Sequence, residues 1–411
     1  MAEELLLLSP AQIEAAANVG RLARLAERLV EERSWSSVDL LLSHATLDVV
    51  PLEELAAAAR AVDRALARMP EARSQRPAIV REIAALRALA GRSLAKRLRH
   101  DPVTQQERPL LALAGELLMA AGDPKEAARL FERAHEDGRA ADAYGATGDL
   151  EKMEACHERI ERRRGARRAA TQLTRKAETL IESGERVAAL MLLEGAPYDL
   201  LIQAGLLQTR DHLQKHLCRG RTLNLRVRTG AALSCRFAGT PAVLGREAGV
   251  QVPLRDPGVS RRHAAIVSDG DDLAVEDANS RAGTTLGAAR LVGRVPIRAA
   301  TEVGLGPSCR LVIERVSGTD ARAVHVKGLS GLDRAMRAIV GESPLDLAWA
   351  FPTAQGLMLN LEGGVARLER VASLPVRVAG QLVGRTCELL AGDLLELADS
   401  EGQPLVIEVL G

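Results

Sequence analysis

The chain has 411 residues, enough for two to four domains at roughly 100–200 residues each. Hydrophobic residues make up 47% and charged residues 27%, which excludes a largely disordered chain. Lys+Arg total 55 against 54 Asp+Glu, and only two Trp, two Tyr and three Phe are present; neither a polyanion-coating surface nor a base-stacking platform is expected, so nucleic acid is not a predicted partner. Six of the cations are Lys and the rest Arg; with abundant Ala, Leu and Gly, this is the composition of a GC-rich, bacterial genome. The five cysteines (Cys156, Cys218, Cys235, Cys309 and Cys387) are scattered and form no CxxC pair. They suggest neither a zinc knuckle nor a disulfide framework, and free thiols suit a reducing cytoplasm. Met1-Ala2-Glu3-Glu4 ahead of Leu5–Leu8 lacks the positive charge and apolar length of a signal peptide. No apolar run approaches the ~20 residues that span a bilayer, so membrane insertion is not expected.

The first half reads as helices. Ser9-Pro10 is an N-cap followed by proline at the first helical position. Leu22, Leu25, Leu29 and Val30 share one helical face, and Pro51 opens a run through Leu55, Val62 and Leu66. Further helical runs cover 78–99, 105–121 and 124–136 and continue to about 218. Ala121-Gly122-Asp123-Pro124 is echoed by Thr147-Gly148-Asp149-Leu150 and by Ser183-Gly184-Glu185-Arg186. The stretch Leu117–Leu130 resembles tetratricopeptide-type helical hairpins. The echoes are spaced by 26 and 36 residues and not by a uniform ~34, which describes a degenerate α-solenoid or an irregular bundle.

Beyond residue 222 the period changes. Leu223–Val227, Ala242–Leu244, Ala264–Val267, Leu273–Glu276 and Leu311–Val316 read as strands, with Asp269-Gly270-Asp271-Asp272 as a hairpin turn. A helix is predicted over Leu332–Val340. Strands follow at Leu345–Phe351, Gly356–Leu361, Val365–Leu368, Val376–Val378, Leu394–Leu397 and Leu405–Val409. The fold class is multidomain α plus β. Its expected parts are an N-terminal helical region (1–100), tetratricopeptide-like repeats (101–220), a β-sandwich (222–318) and a small β-rich domain (320–411).

Three clusters between 243 and 293 carry the chemistry: Leu244-Gly245-Arg246, Ser260-Arg261-Arg262-His263, and Asp277-Ala278-Asn279-Ser280-Arg281-Ala282-Gly283-Thr284. Each sits at a strand end, so a sandwich can bring all three to one rim. Arg246 offers a planar fork of donors, Ser260 a hydroxyl, and Arg261, Arg262 and Arg281 add positive charge. Charge-assisted bonds of this kind capture a phosphorylated side chain. No acid/base pair or nucleophile accompanies them, so the cluster is built to bind and not to cleave.

The pattern resembles the forkhead-associated (FHA) domain, a β-sandwich that recognises phosphothreonine peptides. The resemblance covers about residues 222–316 and rests on the Gly-Arg, Ser-Arg-x-His and Asp-x-x-Ser-x-x-Gly-Thr elements in order. It implies that Arg246 and Ser260 contact the phosphate, that Arg261 contacts phosphate or peptide backbone, and that Arg281 lies beside the phosphate. It further implies that Gly245, His263 and Gly283 brace the loops. Position 282 is Ala where the family usually has an Asn that holds the peptide backbone, a loss of about 0.5–1.5 kcal/mol for one hydrogen bond. In the C-terminal region, Pro375–Gln381 and Leu390–Leu397 look like the closing strands of a second, degenerate FHA-like sandwich; Gly384-Arg385 has no Ser-x-x-His after it. A different small β-domain fits the same residues.

Other candidates carry less. Arg159, Arg162, Arg163, Arg164, Arg167, Arg168, Arg175 and Lys176 form a basic run, read as a solvated helix surface with Glu158, Glu161 and Glu178 interleaved. His212 and His216 have metal-ligand spacing but no third ligand. Cys156 and His157 are about 100° apart on a helix and form no dyad. The reading is a non-enzymatic cytoplasmic adaptor without cofactor or metal. It would bind threonine-phosphorylated proteins, substrates of a Ser/Thr kinase or the kinase itself, and a second protein through the helical region. The alternative is a phosphate-independent scaffold using the sandwiches as interfaces.

Overall fold

The computed structural model describes residues 8–47, 49–69, 77–100, 103–229, 233–316, 322–371, 375–398 and 404–411; all but Leu8 of the stretch read for a leader, 1–8, lies outside them. The chain divides into two compact units, Met1–Ala166 and Arg167–Gly411.

Local caps start the first unit. The Ser9 hydroxyl accepts the Gln12 N–H at 3.4 Å and the Gln12 side chain accepts the Ser9 N–H at 2.8 Å, a capping box at the head of α1 (Pro10–Asn18). Then come α2 (Leu22–Glu31), α3 (Trp35–His44), α4 (Leu52–Arg68), α5 (Pro77–Arg97), α6 (Arg108–Ala120), α7 (Pro124–Arg133) and α8 (Asp137–Thr147). Leu22, Leu29 and Val30 of α2 and Leu55, Val62 and Leu66 of α4 are buried, as their shared face requires, and α2 packs on α4. Among the described residues Phe131 and Tyr144 are the buried aromatics of this core; the rest is aliphatic apart from Cys156.

The three echoes are helix stop and start signals. Gly122, Gly148 and Gly184 hold φ of +82°, +76° and +83°, and the Asp123 and Asp149 carboxylates each accept the N–H three residues on, at 3.3 Å. Successive helices α5 to α8 pack on one another. The longer interval before the third echo is filled by one helix, α9 (Leu150–Glu182), 33 residues long, which is why the spacing departs from a regular repeat.

In the second unit, α10 (Arg186–Glu194), α11 (Tyr198–Ala204) and α12 (Leu207–His216) share a small core with Leu173, Ala177 and Leu390. Arg186 is buried. Its guanidinium pairs with the buried Asp393 and donates to the Glu388 carbonyl at 2.7 Å, which ties the start of α10 to the C-terminal strands.

Strands β1 (Thr222–Val227) and β2 (Ser234–Gly239) form a hairpin. They are followed by β3 (Ala242–Gly245), β4 (Val252–Pro253), β5 (Ala264–Asp269), β6 (Asp272–Asp277), β7 (Thr284–Leu286), β8 (Ala289–Arg290), β9 (Arg294–Pro296), β10 (Thr301–Leu305) and β11 (Cys309–Arg315). A second hairpin, β12 (Ala323–Gly328) and β13 (Arg337–Gly341), precedes β14 (Leu345–Asp346), β15 (Leu357–Asn360), β16 (Arg367–Arg370), β17 (Val376–Val378), β18 (Gln381–Leu382), β19 (Thr386–Glu388), β20 (Leu394–Ala398) and β21 (Pro404–Val409). The turn between β5 and β6 falls at Gly270-Asp271, with Asp269 paired to Asp272 and Gly270 at φ +59°.

The helix predicted over Leu332–Val340 is overturned. A 3₁₀ turn at Gly331–Asp333 leads into strand β13. Ala338 and Val340 enter one core and Ile339 the other, and a strand buried on both faces reads as an unbroken apolar run that periodicity does not separate from a helix. In the predicted strand Leu345–Phe351, only Leu345–Asp346 is extended; Leu347–Trp349 is a 3₁₀ turn capped by Asp346.

These strands build two sandwiches. In the first, β4-β3-β5-β6-β9 faces β13-β12-β11-β10-β7-β8; in the second, β14-β15-β16-β19 faces β2-β1-β21-β20-β17-β18. The second thus repeats the strand order of the first without a counterpart of β4. The hairpins are exchanged. β1, next in sequence to the first sandwich, pairs with β21, and its Leu223, Leu225 and Val227 line the second core. β12, next in sequence to the second sandwich, also follows and pairs with β11, and Val324 and Val326 line the first core. Where the hairpins meet, β2 and β13 run parallel and join both halves into one twelve-stranded sheet.

Candidate functional site

One rim of the first sandwich collects the three motif loops. Gly245 ends β3, and a Cβ there would collide with the Arg261 carbonyl oxygen, so only glycine lets the loops close. The Arg246 N–H then donates to the Ser260 carbonyl at 2.9 Å and the Glu247 N–H to the Arg261 carbonyl at 3.1 Å. The Arg246 Nε reaches the Val259 carbonyl at 3.4 Å. Ser260 Oγ accepts the Arg281 N–H at 3.0 Å, which joins the second loop to the third. That bond uses a lone pair and leaves the hydroxyl hydrogen free to donate outward.

His263 is fully buried beneath this junction. Its Nδ1 accepts the Ser260 N–H at 3.0 Å, so Nε2 carries the proton and donates to the Gly283 carbonyl at 3.1 Å. Asp277 shapes the third loop by accepting the Ser280 N–H at 3.0 Å, the Ser280 hydroxyl at 2.6 Å and the Thr284 hydroxyl at 2.6 Å. Burial works against its ionised form, but the hydrogen bonds from Ser280 and Thr284 outweigh that and hold its carboxyl below the usual range. Gly283 sits at φ +78°, and a Cβ there would lie 3.0 Å from the Arg290 Nε.

Arg246, Ser260 and Arg281 are therefore brought together, with Gly245, His263 and Gly283 inside the junction. Arg261 is exposed on the second loop. Arg290 escaped the sequence reading. The signal was Gly287-Ala288, a two-residue turn that folds β8 back on β7 and pairs Arg290 with Thr285. Among the described residues, none of Arg246, Arg261, Arg281 and Arg290 forms an ion pair with a carboxylate, although Glu247 is exposed beside Arg246. Ala282 is exposed and faces Gly306, whose Cβ would lie 3.8 Å from its own.

A family model described as the FHA domain matches residues 242–306. This segment is an FHA domain. Among solved structures, an FHA domain studied for phosphothreonine-dependent interactions is 30% identical over 21% of this chain and 88% of its own, with a TM-score of 0.17. The FHA domain of the CT664 protein from Chlamydia trachomatis is 26% identical over 21% of this chain and 90% of its own, also with a TM-score of 0.17. EmbR of Mycobacterium tuberculosis, in complex with a low-affinity phosphopeptide, is 15% identical over 72% of this chain and 70% of its own, with a TM-score of 0.17. No curated protein matches the chain significantly.

The buried imidazole makes the FHA sandwich sensitive to acid. Burial lowers the pKa of His263 from its ordinary 6.5, and burial also lowers that of His325 on β12. The unfolded chain then binds more protons than the folded one, so stability is full above about pH 6.5 and falls as pH drops through that value. Chemical denaturation at pH 7.5 and 5.5 is expected to show lower stability at 5.5, with a smaller difference in His263→Asn. An unchanged pH slope in that variant would exclude His263 as a source.

The other sequence candidates stay outside the rim. The His212 and His216 rings lie 4.6 Å apart, and the described residues hold no group of three ligands for a metal. Cys156 is buried while His157 is exposed. In the basic run, Arg159 pairs with Glu132 and Asp137, Arg163 with Asp137 and Arg164 with Glu161. None of the described helices is long and apolar enough to cross a membrane.

Proposed function

We propose that the chain is a non-enzymatic signalling adaptor whose FHA rim captures a phosphothreonine side chain. The observation that carries this reading is that Ser260 is tied to Arg246 through its carbonyl and to Arg281 through its hydroxyl, on a rim where, among the described residues, none of the four arginines is ion-paired with a carboxylate. Arg246 and Ser260 bind the phosphate. Arg281 and Arg290 add charge beside it, and Arg261 reaches phosphate or peptide backbone. The partner is a substrate of a Ser/Thr kinase or the kinase itself, and the helical region takes a second protein. Tandem modules raise effective concentration, so a weak phosphopeptide contact suffices for assembly. The test is a phosphothreonine peptide library against its unphosphorylated twin, read by fluorescence anisotropy. Binding of phosphorylated members alone is expected; equal binding of both sets rejects the reading.

Ala282 and the continuous sheet joining both sandwiches favour a second reading, a phosphate-independent scaffold. Native complexes whose size is unchanged by phosphatase would select it.

A further inference from the structure

A cavity of about 360 Å³ opens where the exchanged hairpins meet the first sandwich. Its lining includes three arginines, Arg236 on β2, Arg255 on the loop after β4 and Arg337 at the head of β13, together with the apolar residues Leu254, Leu332 and Met336. Among the described residues none of the three arginines forms an ion pair. The carboxylate on the wall, Asp333, is already engaged by backbone: it accepts the Arg255 N–H at 2.8 Å and the Asp256 N–H at 3.2 Å.

Arg236 is the telling member. It is half-buried, and among the described residues its guanidinium makes one hydrogen bond, to the Gln251 carbonyl at 3.2 Å. Burial alone lowers its pKa, yet a guanidinium does not give up its proton in a protein. A cation drawn out of water without a counter-charge is costly, and a planar fork of donors is satisfied best by the two oxygens of a carboxylate or phosphate. Leu332 on the rim is 67% exposed, an apolar surface facing water beside the charge. Pockets for small molecules have this make-up, an apolar lining with a few convergent polar groups.

We propose that this cavity is a binding site for a small organic anion, a phosphomonoester or carboxylate on an apolar body. The anionic group sits among Arg236, Arg255 and Arg337, and the body lies on Leu254, Leu332 and Met336. The site shares no residue with the cationic rim, so it stands or falls apart from phosphothreonine capture. It exists only because β2 and β13 lie side by side.

Isothermal titration of the full chain with phenyl phosphate, phenylacetate and inorganic phosphate tests it. Saturable binding of at least one aromatic anion is expected, tighter than that of inorganic phosphate. It should persist in Arg246→Ala, which disables the rim, and weaken at least tenfold in Arg236→Gln and Arg337→Gln. Arg337 is exposed, so its variant decides the matter if Arg236→Gln fails to fold. Four results would overturn the proposal: no saturable binding, binding lost in Arg246→Ala, binding unchanged in Arg337→Gln, or equal affinity for inorganic phosphate and the aromatic anions.

Discussion

Leu225→Ala is expected to loosen the second sandwich and to spare the FHA domain that follows it in sequence. Leu225 is fully buried, pairs with Val409 of β21 and lines the second core. Removing a buried leucine side chain costs about 2–5 kcal/mol through lost burial and the cavity left behind. Hydrogen exchange should therefore accelerate first in β17, β20 and β21, while β3, β5 and β6 keep their protection. Val326→Ala is the mirror experiment. Val326 lies beyond residues 242–306 but packs in the FHA core, so about 1.5–3 kcal/mol of lost burial should appear as faster exchange in the FHA strands. If each variant instead loosens the sandwich next to it in sequence, each hairpin completes its own neighbour and the exchange is refuted. The same geometry predicts that a fragment ending before residue 323 loses two of the strands covering the FHA core.

The second large effect concerns the rim. On the proposed reading, Arg246→Ala and Ser260→Ala each remove a donor to a doubly charged ester. A hydrogen bond to a charged group contributes about 1.5–3 kcal/mol, so each variant should weaken phosphothreonine peptide binding by about 10- to 100-fold. Ser260→Ala does more than delete a donor, because it also frees the Arg281 N–H from its partner and unties two loops. Ala282→Asn is expected to act in the opposite direction. It restores a side-chain amide on an exposed loop position, and one added hydrogen bond strengthens binding about 2- to 10-fold. Anisotropy titrations with one peptide across the three variants check all of this. Losses below twofold in both alanine variants would place the phosphate elsewhere.

What the sequence determined by itself was local. Ser9, Asp123 and Asp149 announce helix starts because a cap is decided by a side chain and an N–H three residues away. The period-two burial of β1 and β11 was legible for the same reason, since alternate side chains point to opposite faces whatever the partner strand is. The rim was legible as three short motifs, whose Gly245, Ser260, His263 and Gly283 serve a close approach, a loop-joining hydroxyl, a buried bridge and a left-handed turn. Partner choice was not legible. The hairpins β1–β2 and β12–β13 present similar apolar faces, and which of two similar sandwiches each completes is settled by strands more than a hundred residues away or by the one just before. The arginine-lined cavity shares that origin. Only the tertiary structure places β2 beside β13, because strand pairing is set by the packing of distant faces and not by the propensity of the strand itself.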